Sequence, residues 1–165
     1  MPMKLLIVQV RLDCASMRLL TCAVLLCLIQ SPALAGRGSL NPDVTQSTIH
    51  QTICVPGYTK QVRPAASFTN GVKDLMLQRA GLKPAASNYT LDHIIPLAIG
   101  GHPRKMDNLQ LQPWDEAKRK DRIEVKLQCL VCSGQLPLRT AQRDIAEEWE
   151  AAYHRYARVK CLRAR

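Results

Sequence analysis

The stretch from Thr90 to Cys132 limits the fold more than any other part of the chain. Thr90–Ile95 is β-branched and apolar and predicts a strand. Gly100-Gly101 and His102-Pro103 form a turn region. Asn108–Leu111 predicts a second short strand, with Leu109 and Leu111 alternating against Gln110 and Gln112. Asp115 is placed to cap a helix running to about Cys132, with Ile123, Leu127, Leu130 and Val131 on one side and Gly134 at its end. Strand, turn, strand and long helix in that order predict an α+β fold, a mainly helical small domain with the hairpin embedded in it.

The flanking segments are read in the same way. Residues 36–47 carry Gly, Ser and Asn and predict a tail. Thr45–Cys54 suits a short helix with Ile49 and Ile53 on one face, and Val55-Pro56-Gly57-Tyr58 a turn, with Pro64 closing the next extended piece. Ser67 or Thr69 can cap a helix to Ala80, stopped by Gly81, with a stripe of Val72, Leu75, Met76 and Ala80. Pro84–Asn88 reads as loop. Thr140 is placed to cap a last helix, in which Ala141, Ile145, Trp149, Ala152, Tyr153 and Tyr156 recur at three- and four-residue spacing as a packed stripe.

The N-terminus reads as a leader. Met17-Arg18, an apolar run from Leu19 to Ile29, and Ala33-Leu34-Ala35 have the order of a signal peptide cut before Gly36. The run is short for a span of about 20 apolar residues, so a membrane anchor is the weaker reading. Asp13 is out of place in a charged n-region, which makes Met17 a plausible start. Residues 1–35 are thus expected to leave, 36–165 to form one domain, and the mature protein to be periplasmic or secreted without stable membrane association. Removing Lys4, Arg11, Arg18 and Asp13 leaves 20 basic and 12 acidic residues, against 23 and 13 and a net charge of +10 in the whole chain. That balance favours an anionic partner such as nucleic acid or an acidic surface; a solvated basic surface is the plain alternative. Cys54, Cys129, Cys132 and Cys161 remain after the leader, an even number suited to an oxidising compartment. Four cysteines allow three pairings. Two disulfides are favoured over zinc at Cys129-x-x-Cys132, because one CxxC without a second ligand pair is a weak zinc signal.

Chemistry concentrates in Asp92-His93-Ile94-Ile95-Pro96, Gly100-Gly101, Asn108-Leu109 and Glu116-Ala117 with Lys120-Asp121. A carboxylate can hold a hard divalent cation, and an imidazole can take a proton from water at neutral pH. Asp92 and His93 as a mere hydrogen-bonded pair at a strand end is the bland reading, as is a solvated face for Lys118–Lys120. His102 reads as an exposed turn residue, His50 and His154 as surface residues. In residues 90–121 the pattern resembles the HNH nuclease family, whose fold is a ββα-metal finger. The segment Cys54–Thr59 and Val131–Gly134 also resemble small secreted members of that superfamily. The resemblance implies that Asp92 binds the metal, that His93 is the general base, and that Asn108 ties the loop and holds the histidine. The third position, on the helix, is usually His or Asn; here Glu116 lies nearest to it. Glu116 with Asp92 would hold one divalent ion, Mg²⁺ or Mn²⁺. Two CxxC zinc pairs found in many members are missing, and disulfides take over their role. Cys129 and Cys132, three apart on or near a helix, would each reach a different segment; Cys54–Cys132 with Cys129–Cys161 is the pairing expected, although spacing does not choose it over the alternative.

Two uses follow. One is an exported, metal-dependent endonuclease cutting DNA or RNA, with Arg104, Lys105, Lys118 and Lys120 neutralising phosphates. The other is a non-catalytic, disulfide-stapled basic module that binds nucleic acid or an acidic protein partner.

Overall fold

The computed structural model describes residues 37–162. The leader, the Met17 start and the cut after Ala35 lie outside the described residues. The element order is α1 (Tyr58–Val62), α2 (Ala66–Arg79), β1 (Tyr89–His93), β2 (Leu109–Pro113), α3 (Trp114–Cys132), α4 (Leu138–Glu147) and α5 (Trp149–Tyr156), with short 3-10 turns between them. It is a small α+β domain: helices around one antiparallel hairpin.

The hairpin pairs Asp92 with Gln110 and His93 with Leu109. Side chains alternate across a strand, so Thr90, Asp92, Gln110 and Gln112 share one face and Leu91, His93, Leu109 and Leu111 the other. Both α2 and α3 pack against the hairpin. α3 begins one residue before the expected cap. Pro113 ends β2 with a φ of −55°, already suited to helix entry, and Asp115 and Glu116 sit inside the first turn, where their charge still meets the helix dipole. Ile123, Leu127, Leu130 and Val131 are buried along α3 as expected. With Ile49, Ile53, Ile95, Ile99, Ala141 and Ile145 they make an aliphatic core. Ile49 reaches it from a single 3-10 turn, Ile49–Gln51, and Ile53 from the turn that follows, rather than both from a helix over 45–54.

Four further expectations change. Within the segment expected to be a tail, residues 39–41 form a strap across the loop between the strands. Leu40 bridges Gly101, the Asn41 amide donates to the Gly100 carbonyl at 2.9 Å, and the His102 amide donates to Ser39 at 2.8 Å. Backbone pairing needs no apolar side chain, so its polar composition hid the contact. The glycines opposite are required by this closure: a Cβ on Gly101 would overlap the Ile95 carbonyl oxygen, and one on Gly100 would strike Val44. The piece after the Val55–Tyr58 turn is helical, not extended, because Gly57 at φ 86° turns the chain into α1 and buries Tyr58.

α2 buries Val72 and Leu77, whereas Leu75 is 39% exposed, and its caps are neither Ser67 nor Thr69. The last helix is two. Glu148 is extended, with φ −159° and ψ 102°, and splits α4 from α5; α4 begins after Pro137, not at Thr140. Asp144 explains the corner. It is buried and accepts hydrogen bonds from Arg155 at 2.6 Å and from Tyr156 at 2.6 Å. Eleven residues of unbroken helix would separate Asp144 from Arg155 by about 17 Å. Only a fold-back brings them together. The stripe concealed it because Ala141, Ile145 and Ala152 are buried on both sides of the break.

Candidate active site

Lys120 is the centre of the site. It is 1% exposed, and its ammonium donates to Asp92 Oδ2 at 2.9 Å, the His93 carbonyl at 2.7 Å and Glu124 Oε1 at 2.5 Å. An ammonium has three protons, and all three are used. The expectation that Lys120 stands beside Lys118 to meet phosphate is therefore corrected: Lys118 is exposed, whereas Lys120 points inward and locks α3 to β1. Helix geometry explains the difference. Lys120 lies three residues before Ile123 and seven before Leu127, on the side that faces the core. Burial alone would push its amine down, but the charges of Glu124 and Asp92 outweigh this and hold it above its ordinary value.

Glu124 completes the cluster and was not singled out in the sequence, although its position one turn after Lys120 is an ion-pair spacing. Burial pushes its carboxyl up to about 7, against the pull of Lys120 and with the push of Asp92. One ammonium faces two carboxylates and offsets the charge of one. A carboxyl raised in the folded state contributes stability below its ordinary value of 4.5 and loses it as pH rises through about 7. Glu124→Gln is expected to flatten the decline of folding stability over that window, measured by urea unfolding at several pH values. An unchanged slope would mean that Glu124 is not the group responsible.

Lys120→Met removes the charge that compensates Asp92 and should cost about 3 kcal/mol, the lower end for breaking a buried pair. Lys118→Met, on the exposed face, should change stability by no more than about 0.5 kcal/mol. Urea midpoints of the two variants check this contrast.

His93 stands at the end of β1 on the face opposite Asp92. Its Nε2 lies 3.1 Å from the Pro103 carbonyl oxygen. A carbonyl cannot donate, so Nε2 carries the proton and Nδ1 keeps its lone pair. Burial lowers the pKa of the ring from 6.5, outweighing the Pro103 contact and Asp92, and Lys120 and Arg63 lower it further. The imidazole is therefore neutral at neutral pH, with a basic nitrogen free. The loop carrying Pro103 is closed by Asn108, which is fully buried. Asn108 Oδ1 accepts from the Ile95 amide at 2.9 Å, and Nδ2 donates to the Ile95 carbonyl at 3.0 Å and to the His102 carbonyl at 2.9 Å. These three bonds tie the end of β1 to the His102 segment of the loop, next to the Pro103 carbonyl that meets His93.

The remaining sequence-selected residues spread around this centre. The guanidinium of Arg104 stacks over Phe68 of α2, 5.4 Å from the ring centre. Lys105 is exposed on the same loop. The His102 Nδ1 accepts from the amides of Arg104 and Lys105, both at 3.1 Å, so this histidine shapes the loop. Arg119 is engaged by Glu150 at 3.0 Å and by the Trp149 ring. Arg63, after α1, is close enough to weigh on His93. Nothing in the local sequence marked it, since it reaches the site from a separate helix.

The donors at hand do not fit a divalent ion held by Asp92 and Glu116. Asp92 is already paired with an ammonium. Among the described residues no group of three or more His, Cys, Asp or Glu side chains converges on a point. A divalent ion about 4 Å from Lys120 would meet a repulsion of about 8 kcal/mol at an effective dielectric of about 20. Glu116 lies one turn before Lys120 and makes no hydrogen bond or ion pair among the described residues.

No protein-family model, curated protein or solved structure matches this chain. The cysteines are paired as the sequence suggested, Cys54 with Cys132 and Cys129 with Cys161. Cys129 and Cys132 sit one turn apart on α3 and reach in different directions. Both sulfurs are thereby used, which removes the zinc alternative. Two disulfides fit an oxidising, extracellular-type environment. No helix among the described residues is long and apolar enough to cross a membrane.

Proposed function

We propose that the chain is an exported hydrolase of nucleic-acid phosphodiester bonds, built on an HNH-like ββα finger, with His93 as general base. The arrangement of His93 carries this reading: a neutral imidazole whose Nε2 is held by the Pro103 carbonyl, leaving Nδ1 to accept a proton. A water at Nδ1 gives its proton to the ring, and its oxygen attacks phosphorus. The new P–O bond forms as the P–O bond to one sugar breaks, and the departing sugar oxygen takes a proton from solvent. Arg63, Arg104, Lys105 and Lys118 neutralise neighbouring phosphates. Asn108 keeps the loop in register, and Asp92 acts through Lys120 as part of the frame.

Incubation of residues 36–165 with supercoiled plasmid and with RNA tests the proposal; nicked or shortened products are expected. The rate should hold through neutral pH and fall only below 6.5, because protonation of His93 is shifted downward. Affinity for duplex DNA should fall steeply with salt, each engaged phosphate adding about 0.9 to the logarithmic slope. Neutralising Arg104 and Lys105 together should reduce that slope by about 2. No cleavage of either nucleic acid under any of these conditions rejects the hydrolase.

A second reading, the non-catalytic basic binding module, is favoured by one observation: Asp92 Oδ2 is taken by the Lys120 ammonium. Salt-sensitive binding with no cleavage selects it. Mass spectrometry of exported protein with Gly36 as first residue tests the leader and its removal.

A further inference from the structure

We propose that the Lys120 ammonium is the resident cation of this finger, standing where a divalent metal would otherwise meet Asp92, so that the wild-type protein takes no metal there. The inference rests on the finger reading for what the site is, and it departs from that reading's usual cofactor. Three observations carry it.

The first is position. Lys120 projects from α3 toward β1, between the two elements of a ββα unit, and holds the carboxylate expected to be a ligand. The second is saturation. Its three protons go to Asp92, Glu124 and the His93 carbonyl, so it is fixed in charge and in place, as a bound ion would be. The third is burial. At 1% exposure the amine cannot swing into solvent to admit a competitor without opening the packing of α3 on β1. Lys120 is a positioning residue rather than a catalytic one. It sets the 92–93 backbone from which His93 projects, and its protons leave nothing for a phosphate.

The same geometry predicts what lies beneath the amine. Asp92 and Glu124 both point at one nitrogen, and Glu116 lies one turn away on the same helix face. Removing the ammonium while keeping an aliphatic stem leaves two carboxylates converging on one point, oxygen donors of the kind a hard cation takes. A cleft of about 180 Å³ bordered by Arg37, Gln110, Trp149 and Glu150 reaches Lys120 from the other side.

Mn²⁺ is the probe, titrated by calorimetry into residues 36–165 as wild type, Lys120→Met, and Lys120→Met combined with Asp92→Asn. Wild type should show only heats of dilution. Lys120→Met should bind one Mn²⁺, and its Tm should rise by roughly 5–10 °C at Mn²⁺ about a hundredfold above the dissociation constant. The double variant should lose both effects. Saturable Mn²⁺ binding by wild type that Asp92→Asn abolishes overturns the proposal, and this arm decides even if Lys120→Met does not fold. Folded Lys120→Met that binds no Mn²⁺ also counts against it. Cleavage by wild type should proceed in EDTA within about twofold of its rate in Mg²⁺; a requirement for added metal overturns the proposal. If wild type cuts nothing at all, the hydrolase reading fails, while calorimetry still decides the place of Lys120.

Discussion

Replacing Cys54 and Cys132 together by serine is expected to lower the unfolding free energy by about 4.5 kcal/mol. The bond closes a separation of 78 residues and joins the segment before α1 to the end of α3. In the chain-entropy model its removal frees the unfolded chain by that amount. Removing Cys129–Cys161, with a separation of 32, should cost less, about 3.7 kcal/mol. Urea unfolding of the two paired variants gives both numbers, and the order is the sharper test. A larger loss for the shorter loop would mean that native packing around Cys161 outweighs chain entropy. For a domain with an aliphatic core and only one Phe, either loss is a large share of a typical stability of about 5–15 kcal/mol.

His93→Ala is expected to reduce nucleic-acid cleavage by about 10²–10⁴-fold, the usual cost of losing a general base. The fold should survive. His93 is only half-buried, its single hydrogen bond goes to a carbonyl at the loop surface, and Lys120 grips its backbone rather than its ring. Binding, read from the salt dependence of affinity, should change little. His93→Ala that cuts as fast as wild type would remove the base from its assigned role. Loss of helical circular dichroism in the variant would instead mean that the ring is part of the structure. Asn108→Ala offers a contrast. It strands the amide and carbonyl of Ile95 and the carbonyl of His102 in a buried setting, so its effect should fall on stability first.

Much of the hairpin and of α3 was legible because the signal was local. Leu109 and Leu111 alternate with glutamines, Ile123, Leu127 and Val131 keep helical spacing, and Gly134 stops the helix with a positive φ of 73°. What was not legible depended on partners distant in the chain. Lys118 and Lys120 look alike in sequence; only the depth of α3 against β1 makes one a surface charge and the other a buried tie. Glu124 went unnoticed for the same reason. The strap at Ser39–Asn41 pairs through its backbone, which carries no side-chain signature. The corner at Glu148 follows from Asp144 needing Arg155 and Tyr156, a requirement invisible to a periodicity that continues across the break. Asn108 was singled out only through the family resemblance; its three hydrogen bonds to Ile95 and His102 join residues 6 to 13 positions apart and have no local signature.

The two ends of α3 are secured by different means. Cys129 and Cys132 fasten its last turn covalently to two other segments, while Lys120, about 14–18 Å nearer the N-terminus, fastens it by ion pairs and a hydrogen bond. Stability along the helix is then graded. Amide exchange should be slowest around Leu127–Val131 and faster towards Trp114, with the ammonium as the boundary between a permanently anchored segment and one that can open on its own. Reducing agents would act on the anchored end first, whereas pH above neutrality, by ionising Glu124 against Asp92, would act on the other. A single helix would thus respond to two chemically independent signals, and an exchange map in each condition would tell them apart residue by residue.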